Sequence, residues 1–116
     1  MIQANELRIG NWILADLGLP SLMPHKISCG DFRDLGTEKL KEDMLTPIQL
    51  TEEILLKCGF SSPINGWYTS PNKTLEFGFN GEGKLILMDW FLEITSLHQL
   101  QNLYFALTNT ELEINL

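Results

Sequence analysis

The chain has 116 residues, 44% hydrophobic and 20% charged, a length and balance that match one folded domain and exclude a disordered or fibrous architecture. Eight basic against fifteen acidic residues leave a net charge of -7, which opposes sequence-independent nucleic-acid binding, because that affinity comes from Lys and Arg displacing phosphate counterions. No apolar run approaches the roughly 20 residues of a membrane span. Residues 1–10 lack the basic start and apolar stretch of a secretory signal, and Cys29 and Cys58 form no CxxC pair, so a cytoplasmic protein with reduced thiols is expected.

Residues 7–14 read as a first strand, with Leu7, Ile9 and Ile13 on one side and Arg8, Trp12 and Leu14 on the other. Gly10-Asn11 in its middle marks a bulge or bend. Residues 18–24 carry Pro20 and Pro24, which cannot supply a donor ladder, and read as a loop. Residues 27–32 suggest a second strand, and residues 37–45 a short helix on Leu40, Met44 and Leu45 that ends before Pro47. Residues 51–59 carry stronger signals: Thr51 accepts from free helix amides, Glu52 and Glu53 suit the positive end, and Gly59 suits a left-handed terminus that folds Phe60 back on Leu55. Ile54, Leu55 and Cys58 form its buried stripe, which makes Cys58 a core thiol.

The second half reads as an antiparallel meander. Strands at 67–69 and 74–79 flank a turn at 70–73, and Asn80-Gly81-Glu82-Gly83 turns the chain into a long strand at 84–94. There Ile86, Met88, Trp90, Leu92 and Ile94 share one face, the expected core, opposite Leu85, Leu87, Asp89, Phe91 and Glu93. Ser96 caps a helix to about Thr108, and Asn109 ends it. Leu97, Leu100, Leu103, Tyr104 and Leu107 make its core stripe, while His98, Gln101, Asn102 and Phe105 lie on another flank, the first candidate contact surface. Residues 111–116 alternate as a final edge strand. The expected architecture is α+β: one domain over 1–116, a curled antiparallel sheet packed against a C-terminal amphipathic helix, with a short middle helix.

Few constellations carry chemistry. His25, Cys29, Cys58 and His98 are metal-ligand types, but their spacing lacks the close pairs of a zinc site, so no metal or cofactor is expected. No GxSxG, HExxH or P-loop is present; Asp31, Asp34, Asp89 and His98 are the only candidate acids and bases, and a small hydrolase using Asp89 and His98 is the catalytic alternative. Binding has more support. Trp12, Trp67, Tyr68, Trp90 and Phe105 exceed the large rings one small core needs, and the adjacent Trp67 and Tyr68 must point to opposite sheet faces. A nucleotide would want cations beside such rings, for which Arg8, Arg33 and Lys84 are the candidates. The candidate binding residues are therefore Arg8, Trp12, Arg33, Trp67, Tyr68, Lys84, His98, Gln101 and Phe105.

Three stretches, ANELRIGNWI (4–13), PIQLTEEILLKCGF (47–60) and LHQLQNLYFALTNTEL (97–112), resemble a family of small proteins of phages and integrated elements of Bacteroides-like bacteria. Together with a variable aromatic β-meander between them the match covers most of the chain, and the last motif is the most specific. The chain departs from the pattern at Asn109, where relatives often place Gly, and in the Pro-rich residues 17–24. The resemblance implies a mobile-element origin and assigns no activity and no functional residue. By association with small phage proteins, it suggests a non-catalytic accessory protein that engages a host or phage protein, with anti-defence as one role. An oligomeric trap for a small nucleotide-like ligand is the alternative. A homodimer through the terminal helix or residues 111–116 fits either reading.

Overall fold

The computed structural model describes residues 2, 6–16, 22–34, 44–61, 66–73, 75–87 and 92–114. Helices and antiparallel sheets combine as the α+β reading expects, but the strands form two sheets instead of one curled sheet. The first is β1 (Trp12–Ala15) between β2 (Met23–Lys26) and β3 (Leu45–Thr46). The second is a meander of β4 (Tyr68–Thr69), β5 (Glu76–Phe79), β6 (Leu85–Leu87) and β7 (Leu92–Ile94). Helices α1 (Cys29–Asp34), α2 (Glu52–Lys57) and α3 (Leu97–Thr108) complete the described elements.

The first strand starts later than the alternation implies. Gly10 has φ +96°, a left-handed conformation open to glycine, and the Asn11 N–H donates to the Arg8 carbonyl at 3.1 Å. This turn throws Ile9 outward, 55% exposed, and the strand begins only at Trp12. From there β1 serves two cores. Ile13 and Ala15 pack with Ile2, Leu7, Ile27 and Leu45, while Trp12 and Leu14 pack against the larger core beneath α3.

Two expectations before residue 35 are overturned. Pro24 sits inside a strand, opposite Leu14; β2 is the outermost strand of its sheet, where a missing N–H costs no ladder bond. Residues 27–32 are not a strand, because α1 begins at Cys29. The cause is local: the Asp31 carboxylate accepts from the Ser28 N–H at 2.7 Å and from its hydroxyl at 3.0 Å, half of a capping box that favours helix. The helix expected at 37–45 lies outside the described residues as far as 43, and its last residue, Leu45, pairs with Ala15 in β3.

Helix α2 follows its sequence signals. The Thr51 hydroxyl accepts from the Ile54 N–H at 3.3 Å, Gly59 has φ +88°, and the Phe60 and Gly59 N–H groups donate to the carbonyls of Leu55 and Leu56. Cys58 is buried, and burial pushes its thiol up to about 12.

In the meander, Tyr68, Phe77, Leu87 and Leu92 lie in register across one row, and Phe79, Leu85 and Ile94 across another. Leu85 and Leu87 are therefore core and Ile86 faces outward, the reverse of the expected assignment. The long strand expected at 84–94 is a hairpin: Leu87 pairs with Leu92, so the chain reverses between them. Met88, Asp89, Trp90 and Phe91 lie outside the described residues. On the outer face the Trp67 ring covers Gly78, where an added Cβ would come within 3.1 Å of both the ring and the Gly66 carbonyl.

Helix α3 lays Leu97, Leu100 and Tyr104 on the core, while Leu107, expected in that stripe, stands 43% exposed. Ser96 occupies the N-cap without a side-chain hydrogen bond; the Leu97 N–H donates instead to the Ile48 carbonyl at 2.8 Å. Asn109 ends the helix with φ 57°, as expected. Residues 111–114 alternate between exposed and buried but are not a strand, since they join no ladder among the described residues. Among those residues no helix is long and apolar enough to cross a membrane.

Candidate functional site

The polar flank of α3 meets the turn formed by residues 6–12. Gln101 is 2% exposed, and its carboxamide bridges the turn: Oε1 accepts from the Trp12 N–H at 2.8 Å and Nε2 donates to the Gly10 carbonyl at 3.1 Å. A side-chain amide thus serves that backbone as a neighbouring strand would. Asn102 extends the pattern. Its Nδ2 donates to the Glu6 carbonyl at 2.8 Å, and its Oδ1 accepts from Arg8 Nε at 2.8 Å and Asn11 Nδ2 at 2.9 Å. Buried Asn11 closes the turn by accepting from the Arg8 N–H at 2.7 Å.

Arg8 joins three segments. Its guanidinium lies 4.6 Å from the centre of the Phe105 ring, donates to the Gln101 carbonyl at 3.1 Å, and grips the Glu111 carboxylate at 2.6 Å and 3.4 Å. The flank read as a contact surface is thus covered largely by the chain's own N-terminal turn. Five candidates, Arg8, Trp12, His98, Gln101 and Phe105, meet here, with Asn11 and Glu111 as partners that helical periodicity does not reveal.

His98 sits deepest, 1% exposed, with neither ring nitrogen hydrogen-bonded; Glu6 Oε1 lies 3.6 Å from Nε2, too far for a hydrogen bond. Burial lowers its pKa below 6.5, an effect the Glu6 carboxylate only partly opposes. As pH falls through 6.5 the unfolded chain therefore takes up a proton before the folded chain does, and stability declines. We expect the urea midpoint to fall between pH 7.5 and 5.5, and His98→Gln to flatten that slope. An unchanged slope in the variant would assign the pH dependence to other groups.

Two clefts flank residues 111–114, which line both. One, of about 380 Å³, is walled by Ile9, Trp12, Lys26 and Gln101. The other, of about 500 Å³, is walled by Lys57, Pro71, Asn72 and Tyr104. Trp12 is half-buried, so its ring both packs on the core and borders the first cleft.

The remaining candidates lie elsewhere. Lys84 pairs with Glu93 at 3.2 Å and Glu82 at 3.6 Å on the outer meander face, and its pKa rises chiefly through Glu93. Trp67 is half-buried over Gly78, whereas Tyr68 points inward, edge-on to Phe79; burial and then the Glu52 carboxylate push its phenol upward. Arg33 lies exposed on α1. The three candidate cations are thus carried by three different parts of the fold.

The four residues of metal-ligand type are also dispersed. Cys29 is exposed, Cys58 and His98 are buried, and His25 Nε2 lies 3.0 Å from Asp31 Oδ2. Burial works against the charged form of Asp31, but the Ser28 N–H and His25 outweigh it and hold the carboxyl below 3.8. Among the described residues no three His, Cys, Asp or Glu side chains cluster as metal ligands. Of the hydrolase pair, His98 is sealed from solvent and Asp89 lies outside the described residues. No family model, curated protein or solved structure matches the chain.

Proposed function

We propose that the chain is a non-catalytic binding protein whose partner is another protein, held at the cleft beside Trp12. The observation that carries this reading is the pairing of exposed Ile9 with half-buried Trp12 at the mouth of a cleft whose other wall is the polypeptide at 111–114. Aromatic and aliphatic anchors beside accessible backbone suit a protein contact. Two groups near it that could do chemistry are committed: His98 is sealed, and the Arg8 guanidinium is held by Glu111 and two helix residues.

A phosphate ligand finds less support. Lys84 and Arg8 are each held by carboxylates, on different parts of the fold. The biological setting rests on the resemblance of the motifs at 4–13, 47–60 and 97–112 to proteins of phages and integrated elements. We place the protein in the cytoplasm of a Bacteroides-like host, encoded by a phage or prophage, with a host or phage protein as its target.

A photo-crosslinking residue at position 9, with a control at position 76 on the outer meander face, tests the reading in host cells. Repeated capture of one protein from position 9 alone is the expected result. Thermal stabilisation by nucleotides, with no protein adduct, would establish the small-ligand trap instead.

A further inference from the structure

We propose that residues 111–114 form a docking strand, onto which the partner adds an extended segment of apolar residues alternating with Lys or Arg. This rests on the protein-binding reading above and names the chemistry of the partner.

The segment has the side-chain pattern of a strand without a neighbour. Leu112 is buried and Ile114 half-buried, while Glu111 and Glu113 face solvent. None of its backbone N–H or C=O groups makes a backbone hydrogen bond among the described residues, and a cleft opens on each side. An extended backbone with unpaired donors and acceptors is the element that strand addition uses. The segment is already held in place: Leu112 anchors it in the core, and Arg8 grips Glu111 from the N-terminal turn. Little ordering remains to be done on binding, which favours an incoming strand.

Side chains select the occupant. A strand paired along 111–114 on the Trp12 side sets alternate residues over Leu112, Ile114 and Trp12, which calls for apolar side chains. The intervening residues stand beside Glu111 and Glu113, and opposite charges across a strand pair are favourable. Glu111 is shared with Arg8, but Glu113 pairs with no cation among the described residues. A second copy of this chain fits poorly: antiparallel pairing of two such segments sets Glu against Glu, between two molecules of net charge -7.

The test uses full-length isotope-labelled protein and synthetic hexapeptides. One alternates Lys and Val, one alternates Glu and Val, and two Lys–Val versions are N-methylated at every Lys or at every Val. In the free protein the amides of residues 112–114 should exchange with solvent unprotected. The Lys–Val peptide should shift those amides and the Trp12 indole signal, and the Glu–Val peptide should not. A strand presents one edge, so one N-methylated version should lose at least tenfold in affinity while the other binds. Protected amides in the free protein would mean that the segment is already paired within the chain, and would overturn the proposal. So would equal binding of both methylated peptides, or shifts confined to Glu76, Ile86 and Glu93. If a crosslinker at position 9 captures a protein while every peptide leaves 112–114 unmoved, the binding reading stands and the strand mode falls.

Discussion

Gln101→Leu should lower the unfolding free energy by about 2–4 kcal/mol, measured by urea denaturation at pH 7.5. Leucine nearly matches glutamine in volume and suits a helix, so neither a cavity nor helix propensity explains the loss. What leucine removes is the pair of hydrogen bonds to the Trp12 N–H and the Gly10 carbonyl, two part-buried groups. Left unpaired away from water, each costs about 1–3 kcal/mol, more than the bonds themselves contribute. Gln101→Glu should be at least as harmful at neutral pH: it keeps an acceptor for Trp12 but sets a buried carboxylate against the Gly10 carbonyl. Exposed Gln99, whose Oε1 accepts from the Thr95 N–H at 3.1 Å, supplies the contrast, and Gln99→Leu should cost no more than about 1 kcal/mol. A loss below about 1 kcal/mol for Gln101→Leu would mean that water reaches those groups and that the turn does not depend on the helix.

The parts of this fold that were legible in the sequence are those written within a few residues. Thr51, Gly59 and Phe60 lie next to the helix ends they define, and Asn109 stops α3 by its own conformation. Another such signal stands inside residues 27–32, which read as a strand: Ser28-x-x-Asp31 is a helix start. Within the meander, the single long strand expected at 84–94 failed for a different reason. Alternation runs from Leu85 to Ile94 without Gly, Pro or Asn, so period-two reasoning carries straight through a reversal, and one misplaced turn exchanges the two faces.

The candidate site was legible in its residues but not in its role. Polar side chains on a helix flank read as a solvated or partner-facing surface, and a carboxamide satisfied by backbone 89 and 91 positions away looks the same in sequence. Asn11 reaching Asn102 and Gln101 reaching Trp12 are contacts that helical periodicity cannot display. The two motifs LRIGNW and HQLQN are polar because each satisfies the other, and the binding potential moves to what they leave at the rim: Ile9, the edge of Trp12 and the backbone at 111–114.

Arg8 carries the second large effect, since it holds both that rim and the turn. Arg8→Ala should cost about 1.5–3 kcal/mol, less than Gln101→Leu, because the guanidinium is partly exposed. The ion pair itself counts for little: the two side chains are 30% and 49% exposed, so Arg8 with Glu111→Gln should couple by only about 0.5–1 kcal/mol and weaken in salt. Contact with Phe105 adds a similar amount that salt screens less. The rest comes from Asn102 Oδ1 and the Gln101 carbonyl, each of which loses a charged donor. Arg8→Lys should recover under half of the loss, because a single ammonium cannot reach Asn102, Gln101 and Glu111 together. Full recovery by lysine would reduce Arg8 to a point charge and remove the planar clamp from this account. In Arg8→Ala the amides of residues 112–114 should also broaden while those of α2 stay sharp, since the C-terminal segment, unlike α2, is held by the guanidinium.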